Sequence, residues 1–145
     1  MNVLLYETSS SARVLIQKNL IQFKQSLQIV STHNIDNLIY EINRTSYDLI
    51  IFDVDNIIMR FLPLLKLSNK RNLNSVIILL TSYTTRKMCQ RFEKYGIDYC
   101  LDKVSEFEEL LKKIEELFTQ MNSFVKRTDF LTPFKTNLTN HLVSN

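Results

Sequence analysis

Glycine is almost missing from this sequence: 145 residues carry one, Gly96, and only two prolines. Turns must therefore be made by Asn, Asp and Ser, which tolerate left-handed backbone and bond locally, and glycine-rich phosphate loops are excluded. Cysteine is equally sparse, at two residues. Without a spaced pair, Cys89 and Cys100 are expected to be free thiols packed as small hydrophobes in a reducing, cytoplasmic setting. No apolar run approaches the roughly 20 residues that span a bilayer, and no charged-then-apolar leader follows Met1. An excess of one charge is also lacking. Eighteen Lys and Arg stand against 15 Asp and Glu, a net charge of +3, too small and too dispersed to mark a nucleic-acid surface. His33 and His141 have no partner ligands nearby in sequence. The length fits one domain, at about 100 to 200 residues each, and excludes a second catalytic one.

What is present is a normal complement of core-forming residues, 45% hydrophobic and 23% charged, set in a regular rhythm. Short apolar runs at Val3–Tyr6, Leu27–Val30, Leu49–Phe52 and Val76–Leu80, with a weaker one at Tyr99–Leu101, have strand length. The runs at 49 and 76 are continuous rather than alternating, as in parallel strands covered on both faces. Between the runs, apolar residues recur at helical spacing: Leu15, Ile16, Leu20 and Phe23; Ile35, Leu38, Ile39 and Ile42; and Phe107, Leu110, Leu111, Ile114, Leu117, Phe118 and Met121. Ser9 to Ser11 can cap the first of these helices, and Ser105 with Glu108 forms a capping box for the last. A proline is tolerated in a first helical turn, so a further helix is predicted from about Leu62, with Pro63 in that turn. Five strand–helix alternations predict a doubly wound α/β domain.

In such sheets ligands bind outside the carboxyl ends of the strands. Here strand one runs into Glu7-Thr8, strand three into Asp53-Val54-Asp55, strand four into Thr81-Ser82 and strand five into Asp102-Lys103. The fold thus gathers carboxylates, a hydroxyl and an ammonium at one sheet edge, a set suited to phosphoryl transfer. Asp53 can attack phosphorus without a base, oxygen ligands can hold Mg²⁺, and Lys103 and Thr81 can bind phosphoryl oxygens as charge builds. Any one of these residues alone would read as a cap or a solvated loop side chain; the weight lies in the combination.

Over residues 1 to about 121 the chain resembles the receiver domain of bacterial two-component response regulators, in particular the stand-alone chemotaxis-type receiver. The resemblance is carried by Val3-Leu4-Leu5-Tyr6-Glu7, Tyr47-Asp48-Leu49-Ile50-Ile51-Phe52-Asp53, Val76-Ile77-Ile78-Leu79-Leu80-Thr81-Ser82 and Tyr95-Gly96-Ile97-Asp98-Tyr99-Cys100-Leu101-Asp102-Lys103. It implies a (βα)5 flavodoxin-like fold with a five-stranded parallel sheet of order 2-1-3-4-5. It further implies Asp53 as phospho-acceptor, Glu7, Asp53 and Asp55 around the metal, Lys103 on the phosphate and Thr81 as switch hydroxyl. The aromatic switch position falls on Cys100, with Tyr99 one place early. The second acid usual after strand one is replaced by Thr8, which implies weakly bound Mg²⁺, and Tyr83 stands where it could cover an acyl phosphate. The expected partners are a sensor histidine kinase or phosphotransfer protein as donor and a downstream protein as target, with no membrane and no nucleic acid. The expected activity is limited to the domain's own phosphorylation and dephosphorylation.

Two other readings use the same residues. A phosphorylation-independent pseudo-receiver acting as an interaction module is favoured by Thr8 and Cys100 and opposed by the intact Asp53, Thr81 and Lys103. A haloacid-dehalogenase-like phosphatase shares the Phe52-Asp53-Val54-Asp55 string, but that family places metal-binding acids on a strand after the lysine. In this chain, residues 104–121 read as a helix instead. Arg86, Lys87, Arg91 and Lys94 read as a solvated basic face, and Asn43 and Asn137 as chance glycosylation matches. Residues 122–145 read as an extension, too short for a second core. There Phe134, Leu138 and Leu142 suit a short amphipathic helix that packs on the domain or across a homodimer.

Overall fold

The computed structural model describes residues 1–53, 74–82 and 85–129. Their order is β1 (Asn2–Tyr6), α1 (Ser10–Phe23), β2 (Gln28–Thr32), α2 (Ile35–Arg44), β3 (Leu49–Asp53), β4 (Val76–Thr81), α3 (Arg86–Glu93), β5 (Tyr99–Asp102) and α4 (Phe107–Asp129). The helix expected from Leu62, Asp55, Tyr83 and the tail residues Phe134, Leu138 and Leu142 lie outside the described residues. The five strands form one sheet of order β2-β1-β3-β4-β5, and every neighbouring pair is parallel. This is the doubly wound order that the strand pattern and the resemblance imply.

Strand position explains composition. The continuous run Leu49–Phe52 forms the middle strand and every residue of β3 is buried, whereas the edge strand β2 alternates exposed and covered residues. Alternation sorts the buried set between faces. Leu4, Tyr6, Ile50, Phe52, Ile77 and Leu79 share one core cluster with Leu38 and Ile42 of α2 and Phe92 of α3. The residues of opposite parity, Val3, Leu5, Leu49, Ile51, Ile78 and Leu80, are buried too. Full burial of such a side chain is worth about 1.5–3 kcal/mol, so β1, β3 and β4 hold the domain and fix the level at which their carboxyl ends stop.

Helix starts follow local side chains. Ser9 Oγ accepts from the Ala12 amide of α1, Asn34 Oδ1 from the Asp36 amide of α2, and Thr85 Oγ1 from the Met88 amide of α3. The Ser105–Glu108 capping box is not formed. Helix α4 begins two residues later, at Phe107, because the Asp102 carboxylate collects the Val104 and Ser105 amides, at 3.0 and 2.9 Å. Glu106 Oε2 in turn accepts from the Asp102 amide at 2.6 Å. Nor does α1 show a single apolar stripe: Ile16 and Leu20 are buried, but Val14 and Leu15 are exposed. Gly96 takes φ 86° between α3 and β5, and among the described residues no other residue has positive φ. The lone glycine therefore stands where the backbone requires it.

The chain divides into two compact units, residues 1–111 and 112–145. In the second unit α4 continues to Asp129, with Lys113 paired to Glu116 at 3.0 Å.

Candidate functional site

Three strand ends and the turn after β5 bring the sequence-predicted residues together. Glu7 follows β1 directly, and its amide donates to the Thr32 carbonyl at 3.0 Å, extending the sheet by one residue. Asp53 and Thr81 are the last residues of β3 and β4. Glu7, Asp53 and Thr81, with Thr32, are the buried polar residues of the described chain. Buried carboxylates need a partner, and Lys103 supplies it. Its Nζ donates to Asp53 Oδ2 at 2.9 Å and lies 3.9 Å from Glu7 Oε2. The backbone fixes that lysine: Thr81 pairs with Asp102 in the β4–β5 register, and the Lys103 amide donates to the Thr81 carbonyl at 3.1 Å.

Two carboxylates and one ammonium leave the cluster one negative charge in excess when both acids are ionised. Burial raises the Asp53 pKa from 3.8 to about 8, and the Glu7 carboxyl beside it pushes the same way, against the lowering effect of the Lys103 ammonium. The Glu7–Asp53 pair therefore keeps a proton to higher pH than an isolated carboxyl would. Glu7 Oε1 accepts from the Ser9 amide at 2.6 Å, while Glu7 Oε2 is buried and accepts no hydrogen bond. A buried carboxylate oxygen that accepts no hydrogen bond, 3.9 Å from the Lys103 ammonium and next to a second carboxylate, belongs to a donor set that suits a hard divalent cation. Glu7 and Asp53 would hold it. Asp55, the third acid expected around the metal, falls outside the described residues, and among the described residues no group of three or more metal-ligating side chains is present. Thr8 is exposed.

Two expectations need correction or extension. Cys89 and Cys100 are not free: their sulfurs are bonded. An interval of 11 residues carries no sign of this, because the turn at Gly96 is what folds α3 back beside β5. Cys100, at the expected aromatic switch position, is one half of this bond, and Tyr99 lies exposed on the edge strand. Sequence reasoning missed Arg13, whose Nη1 donates to the Glu7 carbonyl at 2.9 Å. It stands one turn into α1, six residues after Glu7, and that position was its signal. Asp98 was missed as well. Its carboxylate accepts from the Ile77 amide at 2.7 Å and its amide donates to the Ile77 carbonyl at 2.9 Å, clamping β4 to the entry of β5.

Residues following Lys103 form helix α4 rather than a strand, and Glu108, Glu115 and Glu116 on it are exposed. The acid-bearing strand of a haloacid dehalogenase is thus absent from this place.

No curated protein matches the chain. Among solved structures, the chain is similar to the signal receiver domain of a DNA-binding response regulator from Colwellia psychrerythraea, with TM-score 0.74, 17% identity, and coverage of 82% of this chain and 98% of that one. It is also similar to a response regulator from Burkholderia pseudomallei solved with a phosphorylated aspartic acid, a calcium ion and citrate. That match has TM-score 0.66 and 17% identity, covering 91% of this chain and 75% of that one. A third similar structure is an atypical orphan response regulator described as revealing a phosphorylation-independent regulatory mechanism, with TM-score 0.67, 19% identity, and coverage of 81% and 94%. At these identities the structures establish the fold. The family model of the response regulator receiver domain matches residues 3–115. Sequence model, strand order and strand-end residues agree, and the chain belongs to the response regulator receiver domain family.

Proposed function

We propose that this receiver accepts a phosphoryl group on Asp53 from a phosphohistidine donor and signals by binding another protein. The observation that carries the reading is the Lys103 ammonium set on Asp53 at 2.9 Å beside a second buried carboxylate. In the transfer, an Asp53 carboxylate oxygen forms a bond to phosphorus as the donor's P–N bond breaks, and the electron pair of that bond returns to the imidazole. Asp53 must be ionised to do this, so any proton the Glu7–Asp53 pair retains has to leave first. Lys103 then shifts from the carboxylate to the incoming phosphoryl oxygens, and the Thr81 hydroxyl is placed at the neighbouring strand end to bond them. Mg²⁺ on Glu7 and Asp53 would screen the approaching negative charges and favour the ionised carboxylate. With Thr8 in place of an acid, that affinity is weak. The expected donor is a sensor histidine kinase or phosphotransfer protein, in the cytoplasm, and the domain's chemistry is confined to its own phosphorylation and dephosphorylation. No helix among the described residues is long and apolar enough to cross a membrane.

A second reading, a phosphorylation-independent module, is favoured by Thr8 and by the bonded Cys100 at the switch position; the similar orphan regulator is described in those terms. Labelling separates the two. Radiolabelled phosphoramidate, whose P–N bond stands in for phosphohistidine, should label the wild-type chain with Mg²⁺ present, and alkali should release the label as it does from an acyl phosphate. Asp53→Asn should remain unlabelled. Equal labelling of both chains, or none of either, removes the phosphoryl-accepting reading.

A further inference from the structure

The chain's two cysteines take no part in the acidic site, yet they meet. Cys89 lies in the first turns of α3, its amide donating to the carbonyl of the cap residue Thr85 at 3.0 Å. Cys100 lies within β5, the outermost strand on its side of the sheet. Their Cα atoms are 5.6 Å apart, in the middle of the range that a disulfide spans without moving the backbone. Both residues are half-buried, so a small reagent can reach the pair. The bond is therefore neither sealed in a core nor far from the chemistry of the domain. Cys100 pairs with Leu79 in the β4–β5 register, two residues before Thr81 meets Asp102, and it stands three residues before Lys103. By strand alternation Cys100 and Thr81 share a face of the sheet, the face that α3 covers through Met88 and Phe92.

We propose that Cys89 and Cys100 form a site of reversible thiol–disulfide modification, whose oxidising co-reactant is a low-molecular-weight disulfide and whose bond fastens α3 to β5. The thiolate of one cysteine attacks a sulfur of the small disulfide and displaces one small thiolate, giving a mixed disulfide. The second cysteine, as thiolate, attacks the protein-side sulfur and displaces the second. Two protein thiols and one small disulfide become one protein disulfide and two small thiols; the protons lost from the cysteines go to the released thiolates, and excess small thiol reverses both steps. In the dithiol form α3 keeps its contacts through Met88 and Phe92 but loses its covalent tie to the edge strand. Because β5 leads straight into Lys103, the redox state then bears on how firmly Lys103 is held against Asp53. That last consequence rests on the phosphoryl-accepting reading; the modification itself does not.

The test uses the full chain, equilibrated in buffers of defined reduced-to-oxidised glutathione ratio, with no phosphodonor present. Oxidised buffer should remove two hydrogens from the intact mass of the monomer and leave both cysteines refractory to iodoacetamide, and reduced buffer should restore both. Amide hydrogen exchange in Arg86–Glu93 and Tyr99–Asp102 should be about tenfold slower in the oxidised form, with β1 and β3 unchanged. Reduction of the wild-type chain by a phosphine gives the same comparison without substitution, and C89S/C100S should exchange like the reduced chain. The proposal is overturned if both cysteines stay alkylatable in oxidised glutathione, if the bond forms between two chains, or if α3 and β5 exchange equally in both states. A chain that passes these tests but fails to take phosphate on Asp53 sinks the proposed function and leaves the thiol site standing.

Discussion

Replacing Asp53 with asparagine should make the metal-free domain more stable, and the size of the gain follows from the geometry. Asp53 is buried with Glu7 beside it, and Lys103 answers the pair with a single charge. Its folded-state pKa, raised to about 8 from 3.8, lies above that of the unfolded chain, so the unfolded state sheds the proton first. The stability associated with the protonated acid is complete below the unfolded value and is lost as pH rises toward 8. At about 1.36 kcal/mol per unit, the span from 3.8 to pH 7 sets an upper bound of roughly 4 kcal/mol on that loss. Asparagine is neutral throughout and keeps an oxygen for Lys103 Nζ. It removes a counter-charge, however, while the Glu7 carboxylate stays 3.9 Å from Lys103 Nζ. We expect a net gain of about 1–3 kcal/mol at pH 7, which at roughly 2–4 °C per kcal/mol raises the unfolding midpoint by several degrees. Thermal or urea unfolding in a chelator, at intervals from pH 5 to 8.5, measures it. The wild-type midpoint should fall relative to the variant's across that window. A variant less stable than the wild type at pH 7, or parallel pH profiles for the two, would refute the electrostatic account of the site.

Three further outcomes follow. Thr8→Asp should restore a second acid after β1 and tighten Mg²⁺ binding about tenfold or more, read by calorimetric titration; equal affinities would mean that the existing carboxylates already complete the set. Because binding must displace the Asp53 proton, wild-type Mg²⁺ affinity should rise with pH up to about 8, whereas Asp53→Asn should bind more weakly and lose that dependence. Asp98→Ala leaves the Ile77 amide without its 2.7 Å carboxylate acceptor and should cost about 1–3 kcal/mol in urea denaturation, most of it recovered in Asp98→Asn.

How much could be read from the chain alone varied with the range of the interaction concerned. The strand runs were legible because burial on two faces leaves no polar positions: Leu49–Phe52 can only be a central strand, and its end at Asp53 followed. The gathering of Glu7, Asp53, Thr81 and Lys103 was legible because parallel topology sends every strand's carboxyl end to the same edge, so order in sequence becomes proximity in space. Contacts decided by the packing of one element on another were not legible. The Cys89–Cys100 bond depends on how the turn at Gly96 sets β5 against α3, and the Arg13 contact to the Glu7 carbonyl on how α1 leaves the sheet. The cap of α4 was misread for a smaller reason. Ser105 and Glu108 fit the capping pattern, but Asp102, anchored by strand β5, takes the Ser105 amide that Glu108 would have bonded, together with that of Val104. Helix α1 departs from its expected stripe because only Ile16 and Leu20 are buried, while Val14 and Leu15 face solvent at 63% and 59% exposure.

The central claim is that Asp53 is the atom-level acceptor of phosphate. Borohydride reduction of the chain after treatment with acetyl phosphate and Mg²⁺, followed by peptide sequencing in a mass spectrometer, tests it directly, because hydride converts an aspartyl phosphate to homoserine and leaves free carboxylates alone. The account predicts homoserine in place of Asp53, with every other aspartate and every glutamate unreduced, in a yield that falls to zero without the phosphodonor. Homoserine at another aspartate, or the one-carbon-longer alcohol at a glutamate such as Glu7, with Asp53 intact, or no reduced residue at all under conditions where the chain is folded and Mg²⁺ is bound, would contradict it.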